Sequence, residues 1–182
     1  MTKAQLTVLA GPTAVGKGTV VAALTKRFPT LNVSISATTR DPRPGELNGV
    51  HYYFVSTQEF DAMIERGDML EWALVHGKNK YGTPRGPVDE ALAAGKPVLL
   101  EIDLAGARQV RTTRPDAQFI FLAPPSWEEL ERRLIGRGTE SPEEQARRLT
   151  TARVELEAAS EFDHVVINDD VERAVDELAR LI

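Results

Sequence analysis

Gly11-Pro12-Thr13-Ala14-Val15-Gly16-Lys17 fits the spacing G-x-x-x-x-G-K, with Gly18 and Thr19 next. Residues of these types hold phosphate. Glycines let the chain curl so that successive backbone N–H groups face an anion, and a following helix adds its positive end. Lys17 supplies a mobile charge for the β- and γ-phosphates of a nucleoside triphosphate. Read alone, the segment could equally be a glycine-containing turn with a surface lysine. A strand before it and a helix after it decide for phosphate. The full pattern has Ser or Thr directly after the lysine, where this chain has Gly18. Magnesium finds no hydroxyl ligand there and is expected to be held through phosphates and waters, in keeping with its reluctance to dehydrate. Thr19 is the candidate contact for an α-phosphate.

A second set of groups suits a second phosphate. Arg40 and Arg43 stand three apart in a proline-stiffened loop with Pro42 and Pro44. Guanidinium forks bind phosphate bidentately, and the hydroxyls of Ser36 and Tyr52 are further donors. In isolation, R-x-x-R would read as a solvated charged loop. Glu71 sits in an apolar run, Leu70 to Val75, and Val98 to Asp103 ends in Glu101 and Asp103. Taken singly, Glu71 reads as an outward-facing strand carboxylate; Glu101 and Asp103 end a strand of a parallel sheet, where ligands sit, with a helix N-cap the alternative for Asp103. Farther on, Arg132, Arg133, Arg137, Arg147 and Arg148 crowd a segment with Gly136 and Gly138, which suits a hinged cover of positive charge. Any one of these arginines could instead pair on the surface with Glu129, Glu131 or Glu144.

The elements that must position these groups alternate. Leu6 to Ala10 reads as a buried strand, Lys17 to Phe28 as a helix, and Leu31 to Ser36 as a half-buried strand. Residues 37–86 are rich in Gly, Pro and aromatics. Their strand candidates are Tyr52 to Val55 and Leu70 to Val75, around a short helix with Ser56 and Glu59 at capping-box spacing. Then come a helix over Val88 to Ala94, a strand over Pro97 to Ile102, a helix over Ala105 to Thr113 and a strand over Ala117 to Leu122. A helix from Ser126, a long charged one from Ser141 to about Ala159, a strand over Val165 to Ile167 and a closing helix complete the chain. The expectation is an α/β fold: a parallel sheet with helices on both faces, a small mixed α+β insertion and a helical lid. Residues 1–36 and 86–182 form the nucleotide-binding core, with the lid at about 132–150, and 37–85 form the acceptor subdomain.

Taken together, Ser34-Ile35-Ser36-Ala37-Thr38-Thr39-Arg40, Pro42-Arg43 and Gly49-Val50-His51-Tyr52 resemble the monophosphate-binding segment of guanylate kinases. Leu70-Glu71-Trp72-Ala73, Tyr81-Gly82-Thr83, Glu101-Ile102-Asp103, Gly136 to Glu140 and Asn168-Asp169-Asp170 resemble that family's remaining motifs, in order. The resemblance implies transfer of the γ-phosphoryl group of ATP to GMP, with Mg2+ as cofactor. It implies that Ser36, Arg40, Arg43, Tyr52 and Tyr81 bind the GMP phosphate and that Glu71, Thr83 and Asp103 read guanine. Guanine offers N1–H and a 2-amino group side by side to one carboxylate, whereas adenine would set a lone pair against it. The resemblance also names Lys17, Arg40, Arg133, Arg137 and Arg148 as the catalytic set and Asn168 as an adenine contact. Glu101 is the candidate for water-held magnesium. Two departures stand out: Ala14 where the family's loop often has Gly, and extra prolines at 84 and 87.

Composition narrows the alternatives. A net charge of −5 speaks against a nucleic-acid binder that relies on a global positive field. The absence of cysteine excludes disulfides and thiolate metal sites. No apolar run approaches the ~20 residues of a membrane span, and the short polar N-terminus leaves no room for a signal peptide, so a cytoplasmic protein is expected. A non-catalytic interaction module of the same fold would predict a degraded phosphate loop and lost lid arginines. Against a kinase with another acceptor, such as AMP or dGMP, Glu71 argues for guanine over adenine but does not judge the sugar. His51, His76 and His164 are read as structural, because an anionic phosphate acceptor needs no general base.

Overall fold

The structure, a computed structural model, describes residues 4–75, 77–135 and 141–182. Its strands are β1 (Leu6–Ala10), β2 (Asn32–Val33), β3 (Ala37–Thr38), β4 (Tyr53–Phe54), β5 (Met69–Val75), β6 (Asn79–Pro84), β7 (Val98–Glu101), β8 (Gln118–Ala123) and β9 (His164–Ile167). The helices are α1 (Lys17–Arg27), α2 (Thr57–Glu65), α3 (Arg85–Ala93), α4 (Leu104–Thr113), α5 (Trp127–Ile135), α6 (Pro142–Glu157) and α7 (Val171–Leu181).

Five strands pair in the order β2-β7-β1-β8-β9, all parallel. Parallel strands covered on both faces need apolar side chains on both, and β1 is buried along its whole length. Leu9, Leu99, Ile120, Leu122 and Val166 point to one face, where Val20 and Leu24 of α1, Leu130 of α5 and Leu178 of α7 meet them. Val8, Leu100 and Phe119 point to the other, against Val88 of α3 and Ala107 and Val110 of α4. The register sets Leu9 level with Glu101 on one side and Ile120 on the other. The loop leaving β1 therefore starts beside the carboxylate end of β7, at the sheet edge where parallel α/β folds bind ligands.

Four further strands form a second sheet in the order β4-β3-β6-β5. β3 runs parallel to β4 and antiparallel to β6, and β5 and β6 form a hairpin. Its own small core centres on Phe60 of α2, Ala37 and Met69, with Trp72 packed against it. Gly82 is needed there: a Cβ would lie 2.5 Å from Glu71 O and 2.8 Å from the Cβ of Trp72.

Three elements differ from the sequence expectation. The strand expected over Leu31 to Ser36 divides between the sheets. Ser34 N–H makes the last bond to the first sheet, at Leu99 O (2.9 Å), and Ser36 O accepts from Tyr53 N–H in the second (2.9 Å). Strand β6 lacks the apolar alternation of a strand and exists because β3 and β5 supply partners on its two sides. Helix α3 begins at Arg85, before both the expected start and Pro87. Proline is tolerated in a first turn, whose N–H groups have no partner within the helix.

Candidate functional site

The phosphate loop is shaped by close approaches. Gly11 is buried where a Cβ would stand 2.3 Å from Leu122 O. Gly16 caps α1 at φ 98°, and Ala14 adopts φ 68°, a conformation that costs a residue with a Cβ. Val15 N–H donates to Pro12 O at 3.3 Å, closing the turn. The Lys17 ammonium folds over the loop, donating to Gly11 O at 2.6 Å and Pro12 O at 3.3 Å. Surrounding protein pushes its pKa down, opposed by Glu155, Glu101 and Asp103. The position where a side chain at 18 would stand faces Glu101, whose Oε1 lies 3.7 Å from a Cβ built there. Desolvation pushes the Glu101 carboxyl up, and Lys17 pulls it down.

Asn168 does more than end a strand. It is buried, its Nδ2 donates to Val15 O at 2.8 Å, and its backbone N–H donates to Ala123 O at 2.8 Å. Arg133 Nη1 reaches the same Val15 carbonyl at 3.2 Å and Nη2 reaches Asn168 O at 3.4 Å, while Nε pairs with Glu129 at 2.8 Å. One side chain thus makes both the ion pair with Glu129 that the sequence offered and a contact with the loop that it did not. Beside them opens a cavity of about 640 Å³, lined by Ala14, Gly16, Thr19, Arg133, Asn168 and Val171 among others. It has room for a nucleoside next to the loop. Arg148 lies half-buried on α6, and Arg137 falls outside the described residues. Arg132 is paired on the surface with Glu129, and exposed Arg153 stacks 4.3 Å from the Trp127 ring centroid.

Sequence reasoning missed Glu155. Its Oε2 accepts the Thr13 N–H at 3.1 Å, so a carboxylate from α6 sits on the phosphate loop. Burial pushes its pKa up, against the pull of the Thr13 N–H and Lys17. Spacing held a signal: Arg148, buried Ala152 and Glu155 share one helix face.

In the second sheet, the Arg40 guanidinium stacks 5.1 Å from the Tyr52 ring centroid and 5.7 Å from that of Phe54. Tyr52 meets Tyr81 edge-on at 5.9 Å. Glu46, another residue the sequence reading did not single out, takes two Arg40 hydrogen bonds and the Arg43 backbone N–H, each at 2.7 Å. Arg43 is exposed on the same loop, and Ser36 is half-buried at the crossing between the sheets. Arg40, Tyr52 and Tyr81 are thus gathered in one place from the loop after β3, the residue before β4, and β6.

Glu71 is buried in β5, directly across from Thr83 of β6, whose hydroxyl donates to Glu71 Oε1 at 2.6 Å. Burial pushes its carboxyl up, the Thr83 bond pulls it down, and nearby Asp103 pushes it up again. Asp103 caps α4, its Oδ1 accepting the Gly106 N–H at 2.7 Å. The N-cap alternative therefore holds for that oxygen. Asp103 acts electrostatically on both Lys17 and Glu71, and its Oδ1 and Glu71 Oε2 both border Gly106. Among the described residues, no cluster of three or more His, Cys, Asp or Glu is arranged to hold a metal, and no helix is long and apolar enough to cross a membrane.

The sequence profile of the family described as "Guanylate kinase" matches residues 3–182. A guanylate kinase of Thermobifida fusca is 61% identical over 178 residues, spanning 98% of this chain and 90% of that protein. One of Nocardia farcinica is 59% identical over 180 residues, spanning 98% and 93%. The crystal structure of guanylate kinase from Anaplasma phagocytophilum superposes with a TM-score of 0.76 at 31% identity, covering 100% of this chain and 85% of that one. A shikimate kinase from Bacteroides thetaiotaomicron, at 16% identity and a TM-score of 0.52, shares the fold. The match runs the length of the chain in both sequence and structure, and this protein belongs to the guanylate kinase family.

Proposed function

We propose that this enzyme, an ATP-dependent nucleoside monophosphate kinase, moves the γ-phosphoryl group of ATP to a phosphate oxygen of GMP, giving ADP and GDP. The observation that carries the acceptor is Glu71: a buried carboxylate with Thr83 on one oxygen, in a position to accept N1–H and the 2-amino group of guanine. ATP phosphates lie on the loop from Gly11 to Thr19, with Lys17 turning from the loop carbonyls to the β- and γ-phosphates. Its nucleoside fills the cavity beside Asn168. The GMP phosphate lies on Arg40, Arg43, Tyr52, Tyr81 and Ser36, while Thr83 and Asp103 complete the base site.

The bond between the γ-phosphorus and the bridging oxygen to the β-phosphate breaks as the GMP phosphate oxygen bonds to that phosphorus. The attacking oxygen is already anionic, so no general base takes a proton. Catalysis is positioning and charge neutralisation, by Lys17 and by Arg40, Arg133, Arg137 and Arg148. We read residues 37–85 as the acceptor subdomain, the rest as the ATP-binding core, and about 132–150 as a lid that excludes water.

Magnesium fits this site only as an ion carried by the nucleotide. Gly18 offers no hydroxyl, and among the described residues Glu101 is the carboxylate facing that position. Glu101 would hold the ion through water, and bound magnesium would offset phosphate charge. ATP and GMP are metabolites of the cytoplasm, where this reading has the enzyme act.

Steady-state phosphorylation of GMP, dGMP, IMP and AMP tests the reading, with Lys17→Met alongside. GMP is expected to be the preferred ribonucleotide, and Lys17→Met to lose about 100-fold or more in kcat. AMP outperforming GMP would defeat the acceptor assignment; full activity in Lys17→Met would defeat the loop mechanism.

A further inference from the structure

Helix α4 grips strand β5 along one stripe. Gly106, Gln109 and Thr113 are spaced three and four apart and share a helix face. The Gln109 amide donates to Trp72 O at 2.9 Å and accepts the Trp72 N–H at 3.0 Å. β5 is the edge of its sheet, and this pair of bonds stands in for a neighbouring strand. One turn on, Thr113 Oγ1 donates to Leu70 O at 2.9 Å. The two anchors bracket Glu71 in sequence.

Gly106 lies against the carboxyl itself. A Cβ there would stand 3.0 Å from Glu71 Oε2 and 3.2 Å from Asp103 Oδ1, tighter than a side chain accepts without pushing its neighbour. From the other side Thr83 holds Oε1, but strand pairing fixes Glu71 less firmly toward Met69. The β5–β6 register is irregular between Met69 and Glu71, so the ladder is interrupted next to the residue that most needs a defined position.

We propose that Gly106, Gln109 and Thr113 are the positioning element for Glu71, so that a helix of the ATP-binding core, and not the second sheet alone, sets selectivity for the acceptor base. This rests on the reading of Glu71 as the guanine acceptor. Two hydrogen bonds from guanine must meet one carboxylate, so a shift of a few tenths of an ångström misaligns both. Hypoxanthine lacks the 2-amino group and has only one such bond to lose. Misplacing Glu71 therefore harms GMP more than IMP.

The test is the ratio of kcat/KM for GMP to that for IMP, with KM for ATP and melting temperature, in Gly106→Ala, Gln109→Leu and Glu71→Gln. Alanine is the better helix former but its Cβ crowds two carboxylates, so Gly106→Ala should melt close to the parent protein. It keeps the test open even if Gln109→Leu fails to fold. Both positioning variants are expected to raise KM for GMP about 10-fold, leave KM for ATP within about twofold, and lower the GMP/IMP ratio at least about fivefold. A parental ratio in folded Gly106→Ala, beside a collapsed ratio in Glu71→Gln, would overturn the role of α4 and spare the guanine reading. A parental ratio in Glu71→Gln itself would overturn both.

Discussion

Glu46 holds the Arg40 guanidinium with two hydrogen bonds, from Nη1 to one oxygen and from Nη2 to the other, each at 2.7 Å. Nη1 also donates to Asp41 O at 2.8 Å, and the Tyr81 side chain is a further partner of the guanidinium. The pair aims the fork before any ligand arrives.

Removing that carboxylate should loosen the fork. Glu46→Gln is expected to raise KM for GMP about 10-fold with a smaller change in kcat, because hydrogen bonds to a charged group are the stronger kind. Arg40 pulls the Glu46 carboxyl from 4.5 to about 2, with help from the Arg43 N–H. A depressed acid contributes stability that is complete above its ordinary value and is lost as pH falls toward the folded one. The stability difference between parent and variant should be flat above about pH 5 and should close between there and pH 2. A difference that persists unchanged at pH 2 would show that the ion pair is not its source.

Glu71 obeys the opposite sign. Burial raises its pKa, so between 4.5 and the higher folded value the folded protein keeps a proton that the unfolded chain has released. Stability falls as pH rises through that window, and the ionised carboxylate is a burden at neutral pH. Glu71→Gln is therefore expected to melt no lower than the parent at pH 7 while losing about 100-fold or more in kcat/KM for GMP. Calorimetry and kinetics on one preparation check both; a variant that melts lower and keeps its activity would contradict the buried-acceptor role.

Glu155 occupies a loop donor that a phosphate would use. Glu155→Gln keeps an acceptor for Thr13 N–H but removes a negative charge, so ATP binding should tighten about three- to tenfold by titration calorimetry. In the parent, ATP affinity should gain as pH falls through the raised pKa of Glu155, and the variant should lack that component. Weaker binding in Glu155→Gln would mean that the carboxylate supports the loop.

Asn168 is both a wall of the cavity beside the loop and a strut for the loop. Asn168→Ala removes the buried side-chain donor to Val15 O, at a cost of about 1–3 kcal/mol. For a chain of this size that lowers the melting temperature by roughly 2–12 °C. KM for ATP should rise more than KM for GMP, since the loop and not the second sheet loses its support. Equal effects on both substrates would argue for general destabilisation.

Much of this site could be read from neighbouring residues. The phosphate loop is local, because its glycines, its lysine and the start of α1 all lie between Gly11 and Thr19. The starts of α2 and α6 were legible for the same reason: Ser56 accepts from Glu59 N–H and Ser141 from Glu144 N–H, each within one turn. Glu71 was noticeable as a charge in an apolar run, but nothing near it in the sequence separates a buried acceptor from a solvated one.

The amino-acid sequence by itself determined the alternation of strands and helices, the phosphate loop, and the residue types available for two phosphates and a base. Those features arise from hydrophobic periodicity and turn chemistry, which act over a few residues. Tertiary structure alone decided that residues 34–36 cross between two sheets, that β6 is a strand, and that Gln109 and Glu155 reach Trp72 and Thr13. Each of these depends on partners brought together by packing from distant parts of the chain. A side chain carries no local mark of the backbone group it will meet once the core has closed.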